Sequence, residues 1–222
     1  MTDGPLVIFD CDGVLVDSEP LAMAVLLETI RGAGLELDPA AGYDLFLGRS
    51  LSSVGRMLVE DFGIELDATA LDEMRQRLYA RFRAELRPIR HVPEVVAALR
   101  VPFCVASSSQ PERIELTLRL TGLWPHFDGK LFSATMVSHG KPAPDLFLLA
   151  AERMGYAPGD ALVVEDSPAG IRAARAAGMR VLAFKGGGHA RNVEHEARLR
   201  ALDPDWISED MRDLPRLLRH WH

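Results

Sequence analysis

Asp10-Cys11-Asp12-Gly13 follows directly on the apolar run Leu6-Val7-Ile8-Phe9. Four apolar residues bounded by Gly4-Pro5 and Gly13 read as a buried, central strand. Carboxylates two positions apart at the end of such a strand are expensive, because desolvating each one needs a cation or hydrogen-bond donors in compensation. If the extended backbone continues, alternation points Asp10 and Asp12 to one face. One can then act as a nucleophile and the other as a proton carrier, with a divalent metal between them. A second reading stays open from these residues alone: Asp10 caps a following helix and Asp12 starts a turn with Gly13.

Other elements must hold these acids in place. Apolar strands alternate with amphipathic helices over much of the chain, the pattern of a parallel α/β sheet. Strands are expected at 102–106, 161–164 and 180–184. Pro93, Pro111, Pro144 and Pro168 open helices, and Gly122, Gly155 and Gly178 end three of them. Residues 18–86 differ, since helix follows helix there with no convincing strand. Ser18 and Pro20 start the first of these helices, with Leu21, Val25, Leu26 and Ile30 on one face. Leu71, Met74, Leu78 and Phe82 form a stripe on the last and longest, and such a stripe is core rather than a ligand box. The expectation is therefore an α/β fold. A Rossmann-like parallel sheet flanked by helices comes from residues 1–17 and 87–222, with an all-helical cap of residues 18–86 inserted after the first strand. Ligands of such sheets bind outside the carboxyl ends of the strands, where an insert at that point would cover them.

Parallel strands open their carboxyl ends onto one edge, and reading those ends collects a set of groups. The first strand brings Asp10 and Asp12; the second brings Ser107, Ser108 and Ser109; a later one brings Glu165 and Asp166. Gly140-Lys141-Pro142-Ala143-Pro144 adds a lysine on a proline-stiffened loop before a helix. Carboxylates suit Mg²⁺, while hydroxyls and backbone N–H groups at a helix start hold phosphoryl oxygens. Lys141 would neutralise charge as phosphate and nucleophile approach. Each group also has a local explanation. The three serines can cap the helix opened by Pro111, Asp166-Ser167-Pro168 is a good helix start, and a lysine is ordinarily solvated. What favours a shared site is their coincidence at strand ends, together with the scarcity of lysine (only Lys130, Lys141 and Lys185).

Four stretches resemble the haloacid dehalogenase-like phosphatases that carry a helical cap. These are Phe9 to Glu19 (Phe-Asp-Cys-Asp-Gly-Val-Leu-Val-Asp-Ser-Glu), Val105 to Ser109, Gly140 to Asp145, and Val164 to Ile171. The branch most similar holds sugar-phosphate phosphatases, phosphoglycolate phosphatases and β-phosphoglucomutases. The resemblance implies that Asp10 attacks phosphorus and becomes an aspartyl-phosphate, while Asp12 protonates the leaving oxygen and then takes a proton from water. It implies Mg²⁺ held by Asp10, the Asp12 carbonyl and Asp166, with Glu165 direct or through water, and a phosphoryl group held by Ser107 and Lys141. Arg49, in Gly48-Arg49-Ser50-Leu51, lies where relatives carry a substrate-contacting cap loop; an exposed arginine at a helix start is the alternative. Two departures disfavour a mutase: Ala22 replaces the usual histidine after Glu19-Pro20-Leu21, and residues 18–86 contain no lysine. A phosphatase for a small phosphorylated metabolite, a sugar or sugar-acid phosphate, remains. The alternatives are a phosphosugar mutase and a non-catalytic binding protein on the same fold.

Composition sets the outer limits. With 222 residues, 48% of them apolar, the chain can bury one full core and a small appended domain. A net charge of −7 argues against nucleic acid or a polybasic membrane surface as partner. No run reaches the ~18–20 apolar residues of a membrane span, and no signal-like leader opens the chain, so a cytoplasmic protein is expected. A monomer is the separate expectation for its oligomeric state. Cys11 and Cys104 are read as core thiols in buried strands. His189 and His195 are spaced too loosely to suggest zinc, and Gly186-Gly187-Gly188 is expected to be a flexible turn. No Gly-x-Ser-x-Gly elbow marks a serine hydrolase.

Overall fold

A computed structural model describes residues 4–46, 51–190 and 193–221. In chain order the elements are β1 (Leu6–Phe9), α1 (Glu19–Gly32), α2 (Pro39–Phe46), α3 (Leu51–Phe62), α4 (Ala68–Glu85), α5 (Val92–Ala98) and β2 (Phe103–Ser107). They continue with α6 (Pro111–Leu120), α7 (Trp124–Phe127), β3 (Leu131–Ser133), α8 (Asp145–Met154), β4 (Ala161–Glu165), α9 (Pro168–Ala176), β5 (Arg180–Phe184), α10 (Val193–Arg200), β6 (Trp206–Ser208) and α11 (Leu214–Leu218). The chain divides into two compact units, Met1–Asp17 with Arg87–His222, and Ser18–Leu86.

In the larger unit the six strands form one sheet in the order β3-β2-β1-β4-β5-β6, and every neighbouring pair is parallel. β1 is central, with Val7 opposite both Phe103 and Leu162. Helices cover both faces, which is why β1, β2 and β4 read as unbroken apolar runs rather than alternating ones. On one face Leu6, Ile8 and Val163 pack with Leu146, Phe147 and Ile171 of α8 and α9. On the other, Phe9, Phe103 and Phe127 meet edge to face at 5.3–6.2 Å between ring centroids. From β1 the strand order runs outward through β2 and β3, then returns to the opposite side of β1 for β4. The switch point of the sheet therefore lies between the carboxyl ends of β1 and β4, where open α/β sheets form their crevice.

The smaller unit consists of α1 to α4 around Met23, Leu27, Ile30, Phe46, Val54 and Leu58. Its first helix buries a different set from the expected one. Val25 and Ile30 are buried as anticipated, but Met23 and Leu27 join them while Leu21 and Leu26 stay half exposed. The helix is apolar around most of its circumference, so spacing alone does not pick its buried stripe. Asp67 caps α4 by accepting from the Ala70 N–H at 2.8 Å. Arg81 reaches Glu28 at 2.5 Å and Arg77 donates to Thr29 Oγ1 at 3.2 Å, so two arginines of α4 tie it to α1. Both cysteines are buried free thiols. Cys11, however, lies beyond the end of β1 rather than inside a strand, its sulfur 3.7 Å from Thr117 Oγ1. Among the described residues no helix is long and apolar enough to cross a membrane.

Candidate active site

The backbone leaves β1 through one further ladder bond, Asp10 N–H to Val164 O at 3.0 Å, and then turns sharply. Gly13 takes a φ of +81° and donates to Val16 O at 2.9 Å, while Leu15 and Val16 both donate to Cys11 O. The left-handed conformation favours glycine. A Cβ there would also overlap Asp166 Oδ2 and sit 2.7 Å from His189 Cε1. This turn ends the alternation that would have given Asp10 and Asp12 a common orientation, and the two carboxylates have different partners.

Asp10 faces Lys141. The lysine Nζ lies 2.6 Å from Asp10 Oδ1 and 2.7 Å from Glu165 Oε2, and it donates to Ala106 O at 3.2 Å. Its side chain is 4% exposed, so the reading of Lys141 as an ordinary solvated lysine fails. The loop that delivers it carries a cis bond between Lys141 and Pro142 and closes with Ala143 N–H to Gly140 O at 3.0 Å.

Glu165 ends β4 with no exposed surface. Its Oε1 accepts from the N–H groups of Asp166 and Ser167 at 3.1 and 2.9 Å, and its Oε2 takes Lys141. Ser167 is the N-cap of α9, accepting from Gly170 N–H at 3.0 Å, with Pro168 opening the helix. The helix-start reading of Asp166-Ser167-Pro168 thus holds for Ser167, while Asp166 contributes its carboxylate to the cluster. Ligand atoms of Asp10, Glu165 and Asp166 lie within 4.8 Å of one another, all three residues buried.

Asp12 is held on the other side. Ser109 Oγ donates to its Oδ2 at 2.7 Å and Arg113 Nη2 to its Oδ1 at 2.9 Å. Ser107, 1% exposed, accepts from Ser109 N–H at 3.1 Å, and Ser133 Oγ donates to Ser109 O at 2.7 Å. Ser108 is exposed, and Gln110 rather than any of the three serines is the N-cap residue of α6. Arg49 lies outside the described residues.

Sequence reasoning missed four participants. Arg113 sits on α6 more than a hundred positions from Asp12. His189 Nε2 lies 2.7 Å from Asp166 Oδ2, and His195 Nε2 lies 2.8 Å from Asp166 O. Asp17 Oδ1 accepts from Gly188 N–H at 2.8 Å. The glycine run expected as a flexible turn is instead close-packed: a Cβ at Gly187 would sit 2.9 Å from His189 Cε1 and 3.0 Å from Gly13 O. A search for zinc spacing could not find histidines that serve the carboxylate and the backbone carbonyl of one aspartate.

Three carboxylates lie together, two of them paired with Lys141 and the third with His189. Burial pushes the Asp10 carboxyl well above the usual carboxylate range; Lys141 opposes this, and the Glu165 and Asp166 charges reinforce it. Burial acts on Glu165 in the same direction, but Lys141 and the bonds from Ser167 outweigh it and bring that group below its ordinary value. Burial would lower the Lys141 ammonium, yet Asp10 and Glu165 overcome it and hold the proton more firmly. Burial, and then His189, push the His195 imidazole down and favour its neutral form. An all-oxygen donor set suits a hard divalent cation.

The parallel sheet thus gathers three acids and a lysine at its switch point, the site of an α/β protein of the open-sheet class. The family model for haloacid dehalogenase-like hydrolases matches residues 5–178, and the chain belongs to that family. It is 30% identical over 190 residues to 6-phosphogluconate phosphatase of Escherichia coli K12, covering 85% of this chain and 86% of that one. It is 36% identical over 175 residues to fructose-1-phosphate phosphatase YqaB of the same organism, covering 78% and 92%. Among solved structures, a conserved haloacid dehalogenase-like protein of unknown function from Agrobacterium tumefaciens superposes with a TM-score of 0.88. It shares 34% identity, with 98% of each chain covered.

Proposed function

We propose that this hydrolase is a Mg²⁺-dependent phosphatase that cleaves a small phosphorylated metabolite of the sugar-phosphate or sugar-acid-phosphate class through an aspartyl-phosphate on Asp10. The observation that carries the reading is the buried cluster of Asp10, Glu165 and Asp166, with Lys141 bridging the first two. A metabolite-binding protein would have no use for three desolvated carboxylates beside the site of an anionic ligand. The names of the two Escherichia coli relatives, one acting on 6-phosphogluconate and one on fructose 1-phosphate, support the substrate class.

Asp10 attacks phosphorus, the bond to the ester oxygen breaks, and Asp12 gives that oxygen its proton, releasing the alcohol. Asp12 then takes a proton from water, whose oxygen displaces Asp10 from phosphorus. Inorganic phosphate leaves and both aspartates return to their starting state. Ser107, Ser108 and Ser109 with their backbone N–H groups, and Lys141, hold the phosphoryl oxygens. Asp10, Asp166, the Asp12 carbonyl and Glu165 would hold Mg²⁺, and the ion would offset the negative charge where two anions meet. We assign residues 18–86 as a helical cap domain and Arg49 as a substrate-binding residue.

The test is phosphate release across a panel of phosphorylated metabolites. Release should stop with EDTA, return with added Mg²⁺, and vanish in Asp10→Asn with the fold intact. Turnover that survives chelation would remove the metal role. Conversion of a sugar 1-phosphate to its 6-phosphate, followed by ³¹P NMR, would replace hydrolysis with phosphoryl transfer between positions. Ala22 and the absence of lysine from residues 18–86 count against that second outcome.

A further inference from the structure

Asp166 is gripped at both ends by histidines. His189 meets its carboxylate at 2.7 Å and His195 its backbone carbonyl at 2.8 Å, each through Nε2. A carboxylate and a carbonyl only accept, so both histidines must carry their proton on Nε2. Both side chains are buried, and the rings meet edge to face at 5.5 Å, so each fixes the orientation of the other. Two glycines complete the clamp. Cβ atoms at Gly13 and Gly187 would come within 2.7 and 2.9 Å of His189 Cε1, so glycine at these two positions is what leaves space for the imidazole.

A histidine pair that only filled space would have no reason to direct both donors at a single residue. Nor does compensation of a buried charge account for both donors, since only His189 reaches the carboxylate and His195 meets the backbone carbonyl. Two bonds to the opposite ends of one residue fix both the position of its backbone and the rotation of its carboxylate. Partners of this kind behind a ligating carboxylate commonly govern metal affinity.

We propose that His189 and His195 are positioning residues which hold Asp166 oriented toward Asp10 and Glu165, and that this grip sets the affinity of the cluster for a divalent cation. The proposal rests on the reading of that cluster as the Mg²⁺ site. The Gly186-Gly187-Gly188 segment then leads into the turn that carries His189, and α10 carries His195.

The test is calorimetric titration of the full chain with Mg²⁺ alone, beside thermal unfolding of each variant. His189→Leu fills the space without a donor and should weaken Mg²⁺ binding by about 10- to 100-fold. His189→Gln keeps an N–H near the Nε2 position and should stay within a few-fold of wild type. His195→Phe keeps the ring and loses the donor, and should weaken binding as His189→Leu does. At saturating Mg²⁺, phosphate release by the folded variants should recover most of the wild-type rate, a split between metal affinity and turnover that loss of packing would not produce. Wild-type affinity in His189→Leu overturns the proposal; should that variant not fold, wild-type affinity in His195→Phe does so. If wild type itself takes up no Mg²⁺, the reading of the acidic cluster fails and the proposal with it. If wild type binds and the variants bind equally, only the histidine pair is refuted.

Discussion

The ammonium of Lys141 lies 2.6 Å from the carboxylate of Asp10, and the lysine side chain is 4% exposed. It meets Glu165 as well, so one buried cation serves two carboxylates. Removing one partner from a buried ion pair leaves uncompensated charge, which costs about 3–5 kcal/mol. Lys141→Met should therefore lower the unfolding free energy by an amount of that order, read as a fall in the urea midpoint, and abolish phosphate release. Added Mg²⁺ should restore part of the lost stability, because it offsets the same carboxylates. Lys141→Arg should not rescue activity, since a planar fork cannot replace a point charge in a closed site. An unchanged midpoint in Lys141→Met would contradict the electrostatic account.

Asp12 is tied to Ser109 and Arg113 rather than to the Asp10 cluster. On the proposed chemistry it carries the proton, and losing a general acid–base costs roughly 10²- to 10⁴-fold in rate. Asp12→Asn should fall in that range. Arg113→Ala removes one charged hydrogen bond, about 1.5–3 kcal/mol, and should lower kcat by roughly 10- to 100-fold with little change in KM. Steady-state kinetics on any substrate from the panel separates the two. A kcat for Arg113→Ala equal to wild type would show that the arginine does not orient the acid.

Burial raises both thiols well above their ordinary value of 9.0; at Cys11 the Asp12 and Asp10 charges add to it. The folded chain therefore keeps two protons that the unfolded chain gives up once the pH passes about 9. The unfolded state then binds fewer protons, so stability falls as pH rises, by about 1.4 kcal/mol per pH unit for each thiol. Below the unfolded value the contribution is constant. Urea midpoints measured from pH 8 to 10 should decline, and Cys104→Ala should show a shallower decline than wild type. A thiol reagent at pH 8 should find neither cysteine until the protein unfolds.

How much of this was legible follows from how local each signal is. β1, β2, β4 and β5 are apolar runs of four or five residues, and the proline-opened helices carry their start in one residue. β3 and β6 have three residues each, too few for any period, and they form because an existing sheet edge offers them hydrogen bonds. The acids and Lys141 could be gathered from the sequence because parallel strands all release their residues at one edge. A turn at Gly13 was one of the readings the sequence left open, but the different partners that Asp10 and Asp12 then take were not legible. Arg113, His189 and His195 were invisible for a different reason. Each acts through a partner 23 to 101 positions away, and nothing in their neighbours in sequence signals it.

Two glycines in helices should respond to alanine in opposite directions. Gly55 in α3 has open space where a Cβ would stand, so Gly55→Ala should gain about 0.5–1 kcal/mol from helix propensity. Gly170 in the first turn of α9 has the same type of backbone, but a Cβ there would overlap the Glu165 carboxylate. That carboxylate cannot move aside freely, because Lys141 and the N–H groups of Asp166 and Ser167 hold it. Overpacking of this kind costs about 1–3 kcal/mol. Gly170→Ala should therefore lose stability and, by displacing Glu165 and with it Lys141, lose most of its phosphate release. Chemical unfolding of the two variants beside wild type decides the matter, and a stabilised, active Gly170→Ala would mean that Glu165 is not pinned where these contacts place it.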